Sequence, residues 1–428
     1  MKRALIVAYH FPPCAGSSGL LRSLKFCRYL PEFGWQASVL TLHQRNYESL
    51  DSKRNASDFE GVPVIRAFAL DTKKHLSFRG AYFDWMALPD RWVTWLFGAI
   101  PLGLRAIRRH RIEIIFSTFP VSSAILIGFV LHRLTGKPWI VDLRDSMTED
   151  NYPPDKRERG VRRWIEQEAV RHASRIIFTA NSTRQMYLER YPDLAPEKCV
   201  VISNGYDEAD FSELTLTQPE PIPSDRPVRL LHTGIMYPQE RDPRPFFRAV
   251  ARLNSEKRLD KSNLRISFRA PGSEELYKQI IQELGIAEIV ELQPYVTYLQ
   301  SLQECAASDG LLLFQAANCD HQIPAKAYEY LRIGRPILAL TSQTGDTAAL
   351  LRETGGATIV NIADEEEIYR SLPEFLDAIR AAKHQLPDPQ KVQRFARRNQ
   401  AAQLAGCLNE VTAGSSAIAA EKVQSFAR

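Results

Sequence analysis

The sequence predicts an α/β protein built from two doubly wound, Rossmann-like domains. Three observations carry that expectation. Short apolar runs alternate with amphipathic segments along most of the chain, glycines punctuate the helical segments, and a Pro-rich stretch over 218–227 splits the alternation into two similar halves. At 428 residues the chain also exceeds one ordinary core. The expected domains are 1–205 and 206–390, with helical residues from about 391 to 428 available to pack back on the first.

In the first half, residues 4–9 read as an apolar first strand. The loop from His10 to Gly19 then leads into a helix whose Leu20, Leu21, Leu24, Cys27 and Leu30 share a face, with Gly34 as its stop. Residues 35–42 and 62–68 read as strands two and three, the β-α-β opening of a parallel sheet. After a long aromatic-rich segment the alternation resumes with a strand at 112–117, a helix at 122–134, a strand at 138–143, a polar helix at 160–172 and a strand at 175–179. A last strand and turn cover 200–205.

The second half restarts with a strand at 228–232, Gly234 and a helix after Pro243. Further strands are expected near 264–269, 289–292, 310–314, 337–340 and 359–360, with helices to the end.

Composition narrows the function. Fifty-five Lys plus Arg against 50 Asp plus Glu leave a net charge of +5, too mild over this length to indicate a nucleic-acid partner. Six scattered cysteines form no CxxC pair and have no His at ligand spacing, so neither a metal site nor a disulfide framework is expected. The apolar run at 4–8 is too short for a signal peptide, and the longest apolar stretch, 121–134, falls short of the roughly 20 residues of a spanning helix. A cytoplasmic protein is expected, with membrane attachment only at a surface. Gly-x-Ser-x-Gly, Walker and HExxH patterns are absent, so hydrolase, P-loop and zincin readings lack their residues.

The chemistry concentrates where strands end. Between the strand at 310–314 and the next one lies His321-Gln322-Ile323-Pro324-Ala325-Lys326, with Glu329 one turn further. In a βαβ unit the helix N-terminus collects phosphate, Lys326 would neutralise it, and the Glu329 oxygens suit the paired hydroxyls of a ribose. A solvated Lys and Glu pair on a helix face is the competing reading. Gly16 and Gly19 permit close backbone approach to an anion in the first half, as Gly234 does in the second. Arg241 follows Gly234 and suits bidentate phosphate contact, or else pairs with Glu240 or Asp242 at the surface.

Alternation sends Asp142 and Arg144 to one side of their strand and Asp145 to the other, a charge cluster that reads as cleft-lining or as an ion pair between Arg144 and a carboxylate. His10 and His321 are lone loop histidines without a visible acid partner, so neither reads as a catalytic base.

Taken in order, several stretches resemble glycosyltransferase family 4, the retaining GT-B enzymes, of the polysaccharide-biosynthesis type. They are His10-Phe11-Pro12-Pro13 with Gly16, Gly19 and Arg22; Gly34-Trp35 before Val39-Leu40-Thr41; Lys137-Pro138-Trp139 through Asp145; and Ile202 through Asp207 near Phe211. Pro324-Ala325-Lys326 through Glu329-Tyr330 and Gly334 through Leu338 complete the set. The resemblance implies two domains facing a central cleft, transfer of a sugar from a nucleotide-diphosphate donor with retention, and no cofactor.

By the same resemblance Glu329 matches the second Glu of the family's two-Glu motif, which holds the donor ribose. The first falls at His321, with Asp320 one residue out of register. Arg241 lies near the family's phosphate-binding Lys, and the usual preceding Arg falls at Ile235, so Arg241 and Lys326 would form the diphosphate clamp. Tyr295-Val296 matches a loop bordering the donor base, and His321, Gln322 and Ile323 would line the donor side. His10, Arg22, Arg144 and Asp145 belong to the acceptor side. The acceptor is a glycan or lipid-linked glycan, and the leaving phosphate is thought to help take its proton.

In the segment 78–111, Phe83, Trp85, Trp92, Trp95 and Phe97 precede Arg105, Arg108, Arg109 and Arg111. It reads either as a peripheral membrane contact on anionic lipid or as aromatics packed on the sheet with a solvated basic end. Two other functions share the fold: a catalytically silent protein that binds nucleotide or a partner, consistent with His321, and a sugar-nucleotide epimerase.

Overall fold

The computed structural model describes residues 1–14, 18–50, 59–76 and 84–426. The chain forms two compact units, Met1–Ser203 with Arg397–Arg428, and Asn204–Ala396.

The first unit contains β1 (Lys2–Val7), α1 (Ser18–Tyr29), β2 (Trp35–Leu42), β3 (Val64–Ala67), α2 (Thr72–His75), α3 (Trp95–Arg109) and β4 (Ile114–Thr118). It continues with α4 (Ser122–Thr135), β5 (Trp139–Arg144), α5 (Lys156–His172), β6 (Arg175–Phe178), α6 (Asn181–Arg190) and β7 (Cys199–Val201). The strands pair in parallel in the order β3-β2-β1-β4-β5-β6-β7. β1 therefore has β2 on one side, Lys2 opposite Trp35, and β4 on the other, Ala4 opposite Ile114. The order reverses between β1 and β4, where doubly wound sheets leave a crevice at their strand ends.

Both faces of this sheet are covered, which explains the near-continuous apolar runs of its strands. Leu5, Val7, Leu40 and Val141 pack on one side with α3 and α4 residues, and Ala4, Ile6, Val39 and Phe116 on the other with Leu24 and Leu30. That second side is completed by α14 (Arg397–Phe426), whose Ala401, Leu404, Leu408 and Val411 are buried against it. Each fully buried leucine of this kind is worth about 1.5–3 kcal/mol. Asn409 of the same helix accepts hydrogen bonds from Trp35 Nε1 at 3.2 Å and Lys2 Nζ at 3.1 Å.

The second unit contains β8 (Val228–Thr233), α7 (Arg244–Ser255), β9 (Leu264–Arg269), α8 (Glu274–Glu283), β10 (Val290–Gln293), α9 (Tyr298–Ala307) and β11 (Gly310–Gln315). After these come α10 (Ala325–Ile333), β12 (Ile337–Thr341), α11 (Asp346–Thr354), β13 (Ala357–Val360), α12 (Glu365–Arg380) and α13 (Pro389–Gln393), and then α14 (Arg397–Phe426) returns to the first unit. Its parallel sheet runs β10-β9-β8-β11-β12-β13, reversing between β8 and β11. Gly334 ends α10 at φ 78°, a left-handed position that glycine occupies without strain.

Two sequence expectations change here. The sequence reading placed no helix at 181–190, yet α6 forms there with only Thr183 and Tyr187 buried, one residue per turn, too thin a stripe to read as a helix period. In the segment 78–111 the aromatic residues divide. Trp92 and Trp95 are buried on the sheet, whereas Trp85 and Phe97 are exposed. Phe83 lies outside the described residues. Among the described residues no helix is long and apolar enough to cross a membrane.

Candidate functional site

At the reversal point of the second unit, β8 ends in His232 and Thr233, both buried. Gly234 follows at φ +88°, a turn that an L side chain would strain, and its N–H donates to Arg269 O at 2.9 Å. Across the gap, Lys326 stands in the first turn of α10 and turns its amine back toward the sheet. Its Nζ donates to Thr233 O and lies 3.2 Å from His232 Nε2. A Cβ on Gly234 would come within 3.3 Å of that same Nζ, so the glycine keeps the approach to the amine open.

The proton on His232 can be placed. Its Nδ1 lies 2.9 Å from Leu312 O, a pure acceptor, so Nδ1 carries the hydrogen and Nε2 offers its lone pair to Lys326. Burial and the neighbouring Lys326 hold the imidazole well below its ordinary pKa, so it stays neutral. Burial, then the nearby Arg241, pull the Lys326 amine down to about 7, against the opposing pull of Glu329. The Lys326 and Glu329 side chains are thus not a solvated surface pair. Glu329 Oε1 accepts from the Tyr298 hydroxyl of α9 at 2.8 Å.

The surrounding loops are tied to each other. Ala316 N–H, just past β11, donates to Glu240 O at 2.7 Å, and Gln315 Nε2 donates to Cys319 O and Gln322 O at 2.8 and 2.9 Å. Tyr330 of α10 accepts from Thr233 N–H at 3.1 Å, fixing the helix to the end of β8. Arg241 donates through Nη1 to Ile235 O at 2.8 Å, and its guanidinium lies 5.4 Å from the Tyr237 ring. Pairing of Arg241 with Asp242 does not occur, because Arg244 takes that carboxylate at 2.7 Å. The second unit therefore brings Gly234, Arg241, Lys326 and Glu329 to one end of its sheet. His321, Gln322 and Ile323 form the approach to α10, while Tyr295 is exposed on the loop before α9 beside the half-buried Val296.

In the first unit the charge cluster is arranged differently from expectation. Asp142 is taken by Arg22, with Nε and Nη2 at 3.0 and 2.9 Å, and the rest of that guanidinium donates to Ile202 O and Ser203 O at 2.9 Å each. Arg22 is 1% exposed. The expectation that it lines an acceptor cleft is corrected: its donors are spent on holding α1 to β5 and to the chain after β7.

With Asp142 hydrogen-bonded to Arg22, Arg144 feels Asp142 and Asp145 through their charge. It sits at φ 56° after a register shift in β5, donates to Phe119 O at 3.2 Å, and lies under Gly19, where a Cβ would meet Nη1 at 2.5 Å. Among the described residues its buried Nε has no hydrogen-bond partner, and burial pulls its pKa below the ordinary value. His10, at the end of β1, is held down to about 4 by burial and then by Arg144, so it is neutral. Asp145 is half-buried beside them. Gly16 lies outside the described residues.

Residues 21–205, the greater part of the first unit, match the sequence model of a glycosyl transferase 4-like domain. The chain carries a glycosyl transferase 4-like domain. Solved structures with the same overall fold include a glycosyltransferase from Rickettsia africae, 12% identical with a TM-score of 0.67, covering 96% of this chain and 98% of that one. Another is Alr3699/HepE from Anabaena in complex with UDP, 15% identical at 0.64, covering 96% and 100%. A third is WaaG, a glycosyltransferase involved in lipopolysaccharide biosynthesis, 13% identical at 0.61, covering 94% and 98%. HepE has also been solved with UDP-glucose. Among curated protein sequences none matches. The fold of this glycosyltransferase-like chain is that of the GT-B enzymes, and the matched domain lies outside the unit that holds Lys326 and Glu329.

Proposed function

We propose that the protein is a retaining glycosyltransferase that moves a sugar from a nucleotide-diphosphate sugar to a glycan or lipid-linked acceptor in surface polysaccharide assembly. The observation that carries this reading is the inward-turned Lys326, framed by Gly234 and one turn from Glu329. The amine faces the one loop position without a side chain, at the strand ends where anions gather in such sheets. Lys326 and Arg241 would hold the diphosphate and stabilise charge as it leaves, and Glu329, oriented by Tyr298, would accept from the ribose hydroxyls. HepE, which binds UDP and UDP-glucose, supports the donor class, and WaaG supports the surface-glycan setting.

The test is thermal unfolding against a panel of nucleoside diphosphates and their sugar conjugates, with Glu329→Ala beside the wild type. A ligand at a hundred times its dissociation constant stabilises the native state by about 2.7 kcal/mol. A selective shift that weakens in the variant supports the donor site and names the base; no shift with any nucleotide overturns it. His321 in place of the first motif Glu favours a silent nucleotide-binding protein as the second reading, and sugar release or transfer from the bound donor separates the two.

A further inference from the structure

His232 is a polar side chain inside an apolar strand. It is fully buried in β8, and the rings of Phe268 and Phe314 lie 5.8 and 5.3 Å from its own, so both ring nitrogens need partners from the protein. Nδ1 takes a backbone carbonyl, Leu312 O at 2.9 Å, whereas Nε2 takes the Lys326 amine at 3.2 Å. An ammonium carries three N–H donors. Here one goes to Thr233 O and one to His232 Nε2, and among the described residues the third has no acceptor. Lys326 is half-buried, and the space beside its Nζ is the space that a Cβ on Gly234 would fill.

A lysine side chain is long and rotamer-rich, and a free one must be ordered when it meets a ligand. Two fixed acceptors order it in advance and remove that cost from binding. The imidazole suits the task because it is neutral and its lone pair cannot wander. A ring turned over would forfeit Leu312 O, and a protonated ring would set a second cation against Lys326. Other titratable groups surround the amine. The loop after β8 brings Arg241, α9 brings Cys305 and the Tyr298 hydroxyl, and α10 brings Glu329 and the Tyr330 hydroxyl, while Arg269 at the end of β9 is held by Glu304. Arg241 repels the ammonium and Glu329 attracts it, and His232 acts on it through a hydrogen bond.

We propose that His232 is a positioning residue for the nucleoside diphosphate: its Nε2 lone pair and Thr233 O hold the Lys326 amine so that the third N–H meets a phosphate oxygen beside Gly234. The proposal rests on the donor-site reading and adds to it a residue that touches no ligand atom. The two nitrogens of one ring then have different tasks, Nδ1 serving the fold and Nε2 the site, and two substitutions separate them. An Asn side chain places its amide near the position of Nδ1 and can keep the bond to Leu312 O, but it falls short of Lys326. A Gln side chain carries its carbonyl to the position of Nε2 and can keep the bond to the amine.

The experiment is calorimetric titration of the full chain with UDP, and with ADP and GDP alongside, between about pH 6 and pH 9 for the wild type, His232→Asn and His232→Gln. The titration midpoint of Lys326 is read in the same proteins from its isotope-labelled Cε resonance, assigned with Lys326→Met. Losing an acceptor disfavours the charged amine, so in His232→Asn the midpoint should fall by about one unit and nucleotide affinity by about tenfold near pH 8, and less near pH 6. His232→Gln should keep both near their wild-type values. A role in the fold alone gives the reverse order, with Gln the more damaging substitution in melting temperature and binding alike. That result, or an Asn variant that matches the wild type in midpoint and affinity, overturns the proposal. If the wild type binds none of the three nucleotides, the donor-site reading fails and the role of His232 falls with it; if it binds one and the Asn variant keeps the same pH profile, the positioning role alone is lost.

Discussion

Lys326 Nζ lies 3.2 Å from His232 Nε2, so a buried neutral imidazole accepts from an amine that is itself only half inclined to stay charged. Below about pH 7 Lys326 is a cation whether the chain is folded or not. Between about 7 and its ordinary value of 10.5 the unfolded chain holds this proton and the folded chain releases it, so stability rises with pH through that window. Lys326→Met should flatten that part of the stability curve in denaturant titrations across pH.

Nucleotide binding should run the other way. A diphosphate needs the charged amine, so the affinity of the wild type relative to Lys326→Met should fall about tenfold from pH 6 to pH 8. Calorimetric titration with UDP at both values reads the ratio directly, and an unchanged ratio would separate Lys326 from the phosphate.

Glu329 is oriented by the Tyr298 hydroxyl at 2.8 Å. Tyr298→Phe should therefore weaken nucleoside diphosphate binding by about twofold to tenfold, the scale of one hydrogen bond, with a smaller effect on the corresponding 2′,3′-dideoxy nucleotide. Equal losses for both ligands would mean that Glu329 does not meet the ribose.

Gly19 and Arg144 form a steric pair. Adding a methyl group at Gly19 brings a carbon to 2.5 Å of Nη1, so Gly19→Ala should destabilise the protein by about 1–3 kcal/mol. Combined with Arg144→Ala the cost should be far from additive, and a double-mutant cycle in urea measures the coupling.

Arg22 and Asp142 form a buried ion pair in the first unit, each about 1% exposed. Arg22→Met should cost about 3–5 kcal/mol by stranding the Asp142 carboxylate, and Arg22→Met with Asp142→Leu should recover much of it. Denaturant midpoints compare the three variants. If the double variant is no better than the single one, the backbone contacts to Ile202 and Ser203 are what matter.

The strands were legible because they are short apolar runs with clear stops. Residues 35–42 and 264–269 were read with the limits they have, since Gly34 bounds the first and the second alternates plainly. Helix limits were less well read where capping went unused. α5 starts at Lys156 because the Asp155 side chain accepts from Glu158 N–H at 2.7 Å, a signal present in the sequence.

The site was legible in its residue types and not in its partners. Lys326 and Glu329 could be named from position, but the contacts that shape them come from far along the chain. His232 sits inside an apolar run, and its Nδ1 partner is a backbone carbonyl 80 residues away. Arg22 meets Asp142 across 120 residues, so nothing local showed that this carboxylate would be taken by Arg22. Such pairings are decided by strand order, and local patterns carry no record of that.

The return of α14 to the first unit also sets an order of events during synthesis. The ribosome delivers residues 1–203 first, yet the apolar side that Leu404, Leu408 and Val411 seal stays open until the whole of Asn204–Ala396 has been made. A nascent or truncated chain ending before Arg397 therefore presents Leu24, Leu30 and their neighbours to water, and the first unit is finished only after the second has been made.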